Sequence, residues 1–434
     1  MNKAEQFDVI VMGGGPGGSS TATFLAQKGH KVLLLEKERF PRFHIGESLL
    51  PALWEIWEKM GIASEMESQG YLVKQGVNFA MFNSPNFITN IPLLTAEYPQ
   101  YFSRSYAFHV ERARYDQFLL NFARRNGVDA REEWTVHDVL FDGNRAVGVS
   151  AGPNGGAAQT FRAPIVVDAT GRSTLIARKL GWHKRDPKLS KVAYFSHFKG
   201  AHSRYTKEVK DALSDQSLVE DNTYMTDIHT IDAGWIWYIP IHEDIVSIGA
   251  VVDIKHDFGT QDPQIRFERA IASCHRISEW MKSSTQVLDM QVISNISYVN
   301  DCFVGDGFVL VGDAAMFVDP IFSAGVTLAM RGGMFAAETI HEAFQAGDFS
   351  AARLAPYEAK IRRPMSRIFK LIYNWYEILQ AKDPGNLFSM AQKMPILRER
   401  LIILLSGGYD RVDMEKFFKL AENTAAGGDQ GKRT

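Results

Sequence analysis

The sequence is poor in cysteine, in excess positive charge and in long apolar runs. Cys274 and Cys302 are its two cysteines in 434 residues. Neither sits in a CxxC pair or beside a metal-type histidine spacing. That argues against a zinc site or a disulfide framework, so no metal is expected and a reducing cytoplasm is the expected compartment. Lysine and arginine number 48 against 50 acidic residues, a formal net charge of -2. A chain that binds nucleic acid needs a basic excess to meet the phosphates, so no nucleic-acid partner is expected. No stretch approaches the roughly 20 apolar residues of a membrane helix, so no membrane association is expected. The opening "MNKAEQFDVIVMGGGPGG" carries a short apolar run that leads into glycines rather than a cleavage site. It reads as a first buried strand, not a targeting segment. There is no internal repeat, and only one glycine-rich nucleotide loop.

What is present points to a large α/β protein. The hydrophobic share is 45 % over 434 residues. That is too long for one small core, which leaves two coupled domains or one large α/β unit. Residues 7–12 form an apolar, β-branched strand. Glycines and the helical "SSTATFLAQKG" follow, and "KVLLLEKE" is the next strand. This β–α–β unit closes in about 30 residues, the usual size. Helices are expected at 49–61, from apolar steps of three and four, and at 111–126. Residues 191–300 read as strand-rich with one helix near 263–283. From Gly325 onward the chain reads as helical. The expected organisation is a Rossmann-type FAD-binding domain of residues 1–74, 105–182 and 300–345. Residues 75–104 and 183–299 form an inserted strand-rich substrate domain. A helical C-terminal region (346–424) and a disordered tail (425–434) complete it.

"GGGPGG" at 13–18 places Gly13, Gly15 and Gly18 in GxGxxG spacing. The first glycine permits a tight turn, the second lets backbone approach a pyrophosphate, and the third lets helix pack on strand. The helix N-terminus offers unpaired N–H groups and a positive dipole end. Glycine clusters also occur in plain turns. Here the cluster follows a strand and opens a helix, and Glu36 closes the next strand, where a carboxylate can accept from ribose hydroxyls. Dinucleotide binding is the reading that uses all three features.

"DATGRS" (168–173) and "VGDAA" (311–315) resemble the second and third fingerprints of the FAD-dependent aromatic hydroxylase superfamily. That resemblance implies FAD, with Asp313 at the ribityl or ribose part and Arg112, from "HVERARYDQFLL", near the flavin. "GWIWYIPI" (234–241) narrows it further. Trp235, Trp237 and Ile239 share one face of a strand, and Pro240 is expected to end its ladder. Trp235 through Pro240 is similar to the WxWxIP motif of flavin-dependent halogenases. In that family the tryptophans are thought to screen the flavin, so that halide rather than the organic substrate meets the flavin hydroperoxide. "PRFHIGESLLP" (41–51) is similar to the stretch that passes the isoalloxazine, and "DPIFSAGVTLAM" (319–330) to the segment that holds halide on backbone N–H groups.

The resemblance implies a set of site residues. Gly13, Gly15, Gly17, Gly18, Glu36, Lys37, Arg42, Ile45, Gly46, Arg112, Asp313, Gly325 and Val326 would bind FAD. Ala324 and Gly325 would hold chloride or bromide. Trp235, Trp237 and Pro240 would form the barrier. Lys74, in "YLVKQGVNF", matches the family's lysine, which holds hypohalous acid by hydrogen bond or becomes a haloamine. Set among Val73, Val77 and Phe79, it suits a desolvated amine with a lowered pKa; most lysines are simply solvated. Glu47 and Ser48 lie nearby with no role beyond flavin surroundings.

Tryptophan halogenases carry a glutamate where this chain has Phe322. The resemblance is therefore to the phenol- and pyrrole-halogenating branch, some members of which act on substrates tethered to an acyl or peptidyl carrier protein. Without a nicotinamide site, a separate flavin reductase would supply FADH2. The aromatic stretches 103–110 and 370–379 are candidates for the substrate pocket or for plain core. A single-component aromatic hydroxylase is the alternative reading, with a polyprenyl reductase or a flavin-binding protein without turnover behind it.

Overall fold

The computed structural model describes residues 5–80, 88–92, 100–201, 223–381, 394–413 and 416–417. Val9–Met12, Val32–Leu35, Ile165–Asp168 and Phe308–Leu310 are short apolar strands buried along their whole length. Runs buried on both faces suit a parallel sheet covered by helices. They pair in parallel, in the order Phe308–Leu310, Ile165–Asp168, Val9–Met12, Val32–Leu35, with Asp129–Arg131 beyond. The helix Pro16–Gln27 joins the first two strands. It starts earlier than the serines that mark it in the sequence, because proline at the first helical position already has a helical φ and no N–H to leave unpaired.

The second large element is a nine-stranded sheet. Leu72–Ala80, Ile88–Pro92, Ala107–His109, Lys191–Lys199, Thr223–Ile231, Gly234–His242 and Ile245–Asp253 belong to it. It takes in Leu72, Val73, Lys74 and the strand Ala107–His109, all outside the expected 75–104 segment. Pairing decides this: Lys74 is opposite Ala107 on one side and Tyr224 on the other.

Side chains alternate across the sheet, as a period of two requires. Trp235, Trp237 and Ile239 join the main core, while Ile236 and Tyr238 join a second cluster. That second cluster includes Phe267, Ala270, Ile271 and Ile277. They come from two helices, Pro263–Ala272 and His275–Met281, where the sequence suggested one. Pro240 does not end its strand, contrary to expectation. Pairing with Thr223–Ile231 stops at Tyr238, but pairing with Ile245–Asp253 continues through Pro240 to His242 across a register shift. The missing N–H thus falls where one ladder has already closed, and the irregularity absorbs it.

Among the described residues, three further helices follow: Ala324–Ala346, Ala351–Ala381 and Pro395–Leu405. The expected disordered tail, 425–434, lies outside the described residues. Among the described residues, no helix is long and apolar enough to cross a membrane.

Candidate functional site

A cavity of about 660 Å³ runs from the glycine loop to the tryptophan strand. Its volume is in the range of small-molecule and cofactor sites. At one end are Gly13, Gly15, Gly17, Glu36 and Lys37. A Cβ on Gly13 would lie 2.4 Å from the Ala169 carbonyl oxygen, at φ +101. A Cβ on Gly15 would meet only Arg42, at 3.8 Å, because that residue faces the cavity. Gly18 does not line the cavity. Its Cβ would lie 1.9 Å from the Gly13 carbonyl oxygen, so its hydrogen is what lets the helix seat on the turn. Glu36 accepts from Gly14 N–H at 2.7 Å and Glu38 N–H at 2.9 Å, and so shapes the turn as well as facing a ligand.

The middle of the cavity is held by a buried ion cluster. Arg112 donates to Asp116 at 2.8 and 2.9 Å and to the Ile45 carbonyl, and Arg42 donates to the same Asp116 at 2.9 Å. Burial pushes the Asp116 carboxyl up, but Arg112 and Arg42 outweigh it and hold it below its ordinary value. Gly46 at φ +102 would bring a Cβ within 2.8 Å of Arg112. Arg42, Ile45, Gly46 and Arg112 all line the cavity. Asp116 is absent from the sequence-derived set, although its i,i+4 spacing from Arg112 on one helix was available. Asp313 also lines the cavity, and burial lifts its carboxyl to about 6 against the pull of Arg112 and Arg172. Asp168, by contrast, accepts from Thr170 and Ile176 and staples its own turn.

The far end is aromatic. Trp235 and Trp237 line the cavity with ring centroids 5.9 Å apart, and Phe195 sits 5.6 Å from Trp237. Trp235 donates to the Tyr376 hydroxyl at 3.0 Å, which donates to Asp319 at 2.7 Å. Trp237 donates to Ser247 at 3.1 Å and lies over Gly249, whose added Cβ would be 2.2 Å from the ring. These tethers give both indoles one orientation. Pro240 is not on the cavity wall.

Gly325 and Val326 line this end, at the start of the helix Ala324–Ala346, preceded by Ser323 in the left-handed region at φ 55. A left-handed residue opening a helix aims successive N–H groups at one point, a geometry suited to an anion. Ala324 faces a separate, water-sized void of about 20 Å³ that Gly325 also borders.

Lys74 lies behind this wall, 2 % exposed. Its ammonium donates to Ser48 Oγ at 2.8 Å and to the Leu49 carbonyl at 3.1 Å. Ser48 bonds Thr226 at 2.8 Å, and Thr226 bonds His109 at 2.9 Å. Ser48 and Thr226 line the flavin-sized cavity, whereas Lys74 does not. Desolvation alone pulls the Lys74 amine down to about 7. Phe322 packs 6.4 Å from Phe79 and 6.0 Å from Trp375. The two aromatic stretches part company here. Tyr376 reaches Trp235 and Trp375 packs on Phe79 and Phe322, while Tyr106 and Phe108 pack on Trp54. Thr226 and Ser247 carry no motif of their own; His109, Asp319 and Tyr376 lie in stretches that the sequence singles out, but their partners come from distant segments.

The cavity suits FAD: a glycine turn whose open face, at Gly15, leaves room for a phosphate, a buried Asp313 carboxyl and an aromatic end. Comparison with known proteins agrees. The tryptophan halogenase family model matches residues 8–92 and 91–421. The chain is 31 % identical to the 1H-pyrrole-2-carbonyl-[peptidyl-carrier protein] chlorinase of Pseudomonas fluorescens, over 97 % of this chain and 93 % of that protein. It is 30 % identical to the corresponding brominase of Pseudoalteromonas luteoviolacea, over 94 % and 93 %. Among solved structures, it is similar to the myxobacterial chondrochloren halogenase CndH, an FAD-dependent halogenase, with 33 % identity and a TM-score of 0.78 over 93 % of this chain and 90 % of that one. The flavin-dependent brominase Bmp2 gives 29 % identity and a TM-score of 0.81 over 98 % and 100 %.

Proposed function

The chain belongs to the tryptophan halogenase family and is a flavin-dependent halogenase, and from that premise we propose that it halogenates a pyrrole or phenol carried on a peptidyl carrier protein, through Lys74. The observation that carries this reading is the position of Lys74. Its amine is buried, desolvated, and joined to the flavin cavity through Ser48. Phenylalanine at position 322, in place of the glutamate of tryptophan halogenases, supports an electron-rich ring. Two relatives matched over more than 90 % of their length act on a carrier-bound pyrrole, which supports the carrier.

Reduced FAD, when bound, supplies the electrons that make oxygen an oxidant for halide. The glycine loop and helix N-terminus would hold its pyrophosphate, and Asp313 its ribityl hydroxyls. Arg112 and Arg42, locked by Asp116, hold the loop of Ile45 and Gly46 that would border the flavin. The N–H groups of Ala324 and Gly325 would hold chloride or bromide. Trp235 and Trp237 bar the organic substrate from the flavin, and Lys74 directs the hypohalous acid to the ring. A separate reductase would deliver the reduced flavin, since the chain carries one nucleotide loop. Two free cysteines suit the reducing cytoplasm.

The test is a reconstitution with FAD, an unrelated flavin reductase, NADH, oxygen and bromide or chloride. Pyrrole-2-carbonyl carrier protein and a panel of free phenols are offered, and products are read by mass spectrometry. A halogen isotope pattern, lost in Lys74→Ala while halide-dependent flavin oxidation continues, is the expected result. Halogenation that survives Lys74→Ala would overturn the lysine's role. A product heavier by one oxygen and indifferent to halide would overturn the reaction.

A further inference from the structure

The mechanism above leaves one buried acid unused. Glu47 lines the flavin cavity and is 1 % exposed. Its Oε1 accepts from His197 Nε2 at 2.7 Å, and its Oε2 has no hydrogen-bond partner. A buried carboxylate oxygen left without a donor is costly, and a native fold keeps one where it serves a ligand or a proton. Its backbone is fixed as well, since Val110 N–H donates to the Glu47 carbonyl at 2.8 Å. Ser48, the next residue, ties this stretch to Thr226 at the aromatic end of the cavity. His197 stands on the outer side of Glu47, on the strand Lys191–Lys199, with its side chain 16 % exposed. Phe43, 36 % exposed, sits edge-on to its ring at 5.4 Å. A partly exposed imidazole is thus hydrogen-bonded to a buried carboxyl of the cavity lining.

The chemistry of the site needs such a pair. Halide oxidation balances as X⁻ + O2 + FADH2 + H⁺ → HOX + FAD + H2O. Oxygen takes two electrons from the halide and two from the reduced flavin, and one O–O bond breaks. The flavin brings two protons and three are required, so one must enter the cavity in each turnover. We propose that His197 and Glu47 are its inlet: the ring takes up the proton at the surface, and the carboxyl passes it to the halide-oxidation site. A half-turn of the carboxyl, a soft torsion, carries the proton from Oε1 to Oε2. The inlet rests on the halogenase reading, and it concerns the first half of the reaction, upstream of Lys74.

The electrostatics agree with that role. Burial pushes the His197 imidazolium down, but the hydrogen bond and charge of Glu47, with Glu111 behind it, outweigh burial and hold the ring above its ordinary value. The other charged groups near the pair are Arg42, His44 and Arg112 around the same loop, and Lys74 beyond Ser48. His197 thus holds its proton to a higher pH than a free imidazole and loses it as pH rises through its midpoint. Halide oxidation should fall on that alkaline side.

Two variants and a spectroscopic readout test this. The oxidised, FAD-loaded protein, labelled with [13C]histidine, is titrated by NMR without turnover. The His197 resonance is expected to titrate above the ordinary midpoint and to drop by about one pH unit in Glu47→Gln. In turnover, halide-dependent oxidant is trapped with monochlorodimedone across the pH range while flavin reoxidation is followed separately. Glu47→Gln and His197→Asn are each expected to slow oxidant formation on the order of 10²-fold and to move the alkaline limb, with flavin reoxidation continuing. His197 lies outside the cavity wall, so His197→Asn keeps the test alive if Glu47→Gln fails to bind FAD. Wild-type rates and an unmoved limb in both variants would overturn the inlet. No halide-dependent oxidant from the wild type would instead overturn the halogenase reading beneath it.

Discussion

At the glycine loop the cavity is walled by backbone; at the tryptophan strand it is walled by side chains. The first wall depends on what is missing. Gly13 and Gly18 leave no room for a Cβ against the Ala169 and Gly13 carbonyl oxygens. The second depends on tethers from distant parts of the chain, such as Trp235 to Tyr376 and Ser48 to Thr226. The lesson is about tolerance. A backbone wall fails with one added methyl, whereas a side-chain wall loses its function by degrees.

The comparison is sharpest at Gly18. Gly18→Ala places a Cβ 1.9 Å from a carbonyl oxygen, so the helix must move off the strand. A loss of more than about 3 kcal/mol is expected, read as a FAD-free protein with a lowered urea midpoint. Retention of stoichiometric FAD would break the idea that this wall is rigid.

Lys74→Met examines the other wall by pH. The native amine titrates near 7 and the unfolded one near 10.5. Between those values the unfolded state binds the extra proton, so wild-type stability rises with pH, by about 1.4 kcal/mol per pH unit. Below about 7 the folded protein carries the full cost of a buried ammonium. Lys74→Met is therefore expected to raise the melting temperature at pH 6.5 and to lose that advantage toward pH 10. An equal melting shift at both pH values would show that the amine is not desolvated.

Gly249→Ala presses a methyl into the Trp237 ring, 2.2 Å from its nearest carbon. Overpacking of about 1–3 kcal/mol is expected, and the displaced indole should open the barrier. The readout is a rise in oxygenated or uncoupled product relative to halogenated product. Tyr376→Phe removes one hydroxyl that links Trp235 to Asp319. Its expected cost is about 1 kcal/mol in chemical denaturation, with a smaller rise in the same leak.

The cradle was legible along the chain because its signals are local. A strand, a glycine cluster and a helix are adjacent in sequence, and Gly18 does its work against Gly13, five residues away, although Gly13 itself abuts the distant Ala169. Arg112, Arg42 and Gly46 could be placed by resemblance, but Asp116, which locks both arginines, was passed over. The two tryptophans were legible as one face of a strand by alternation alone. What fixes their orientation was not, since Tyr376 lies 141 residues away from Trp235. Pro240 was misread for the same reason: a strand has two ladders, and the sequence does not say which of them proline spares.

By itself, then, the chain determined the nucleotide fold, the halogenase motif and the identity of the buried amine, because backbone conformation and side-chain alternation are short-range properties. Only the tertiary structure decided that Lys74 sits behind Ser48 with its amine pulled to about 7, and that Glu47 meets His197 with its other oxygen unpaired. Desolvation and hydrogen bonding depend on every atom within a few ångströms. Those atoms come from segments that the sequence keeps far apart.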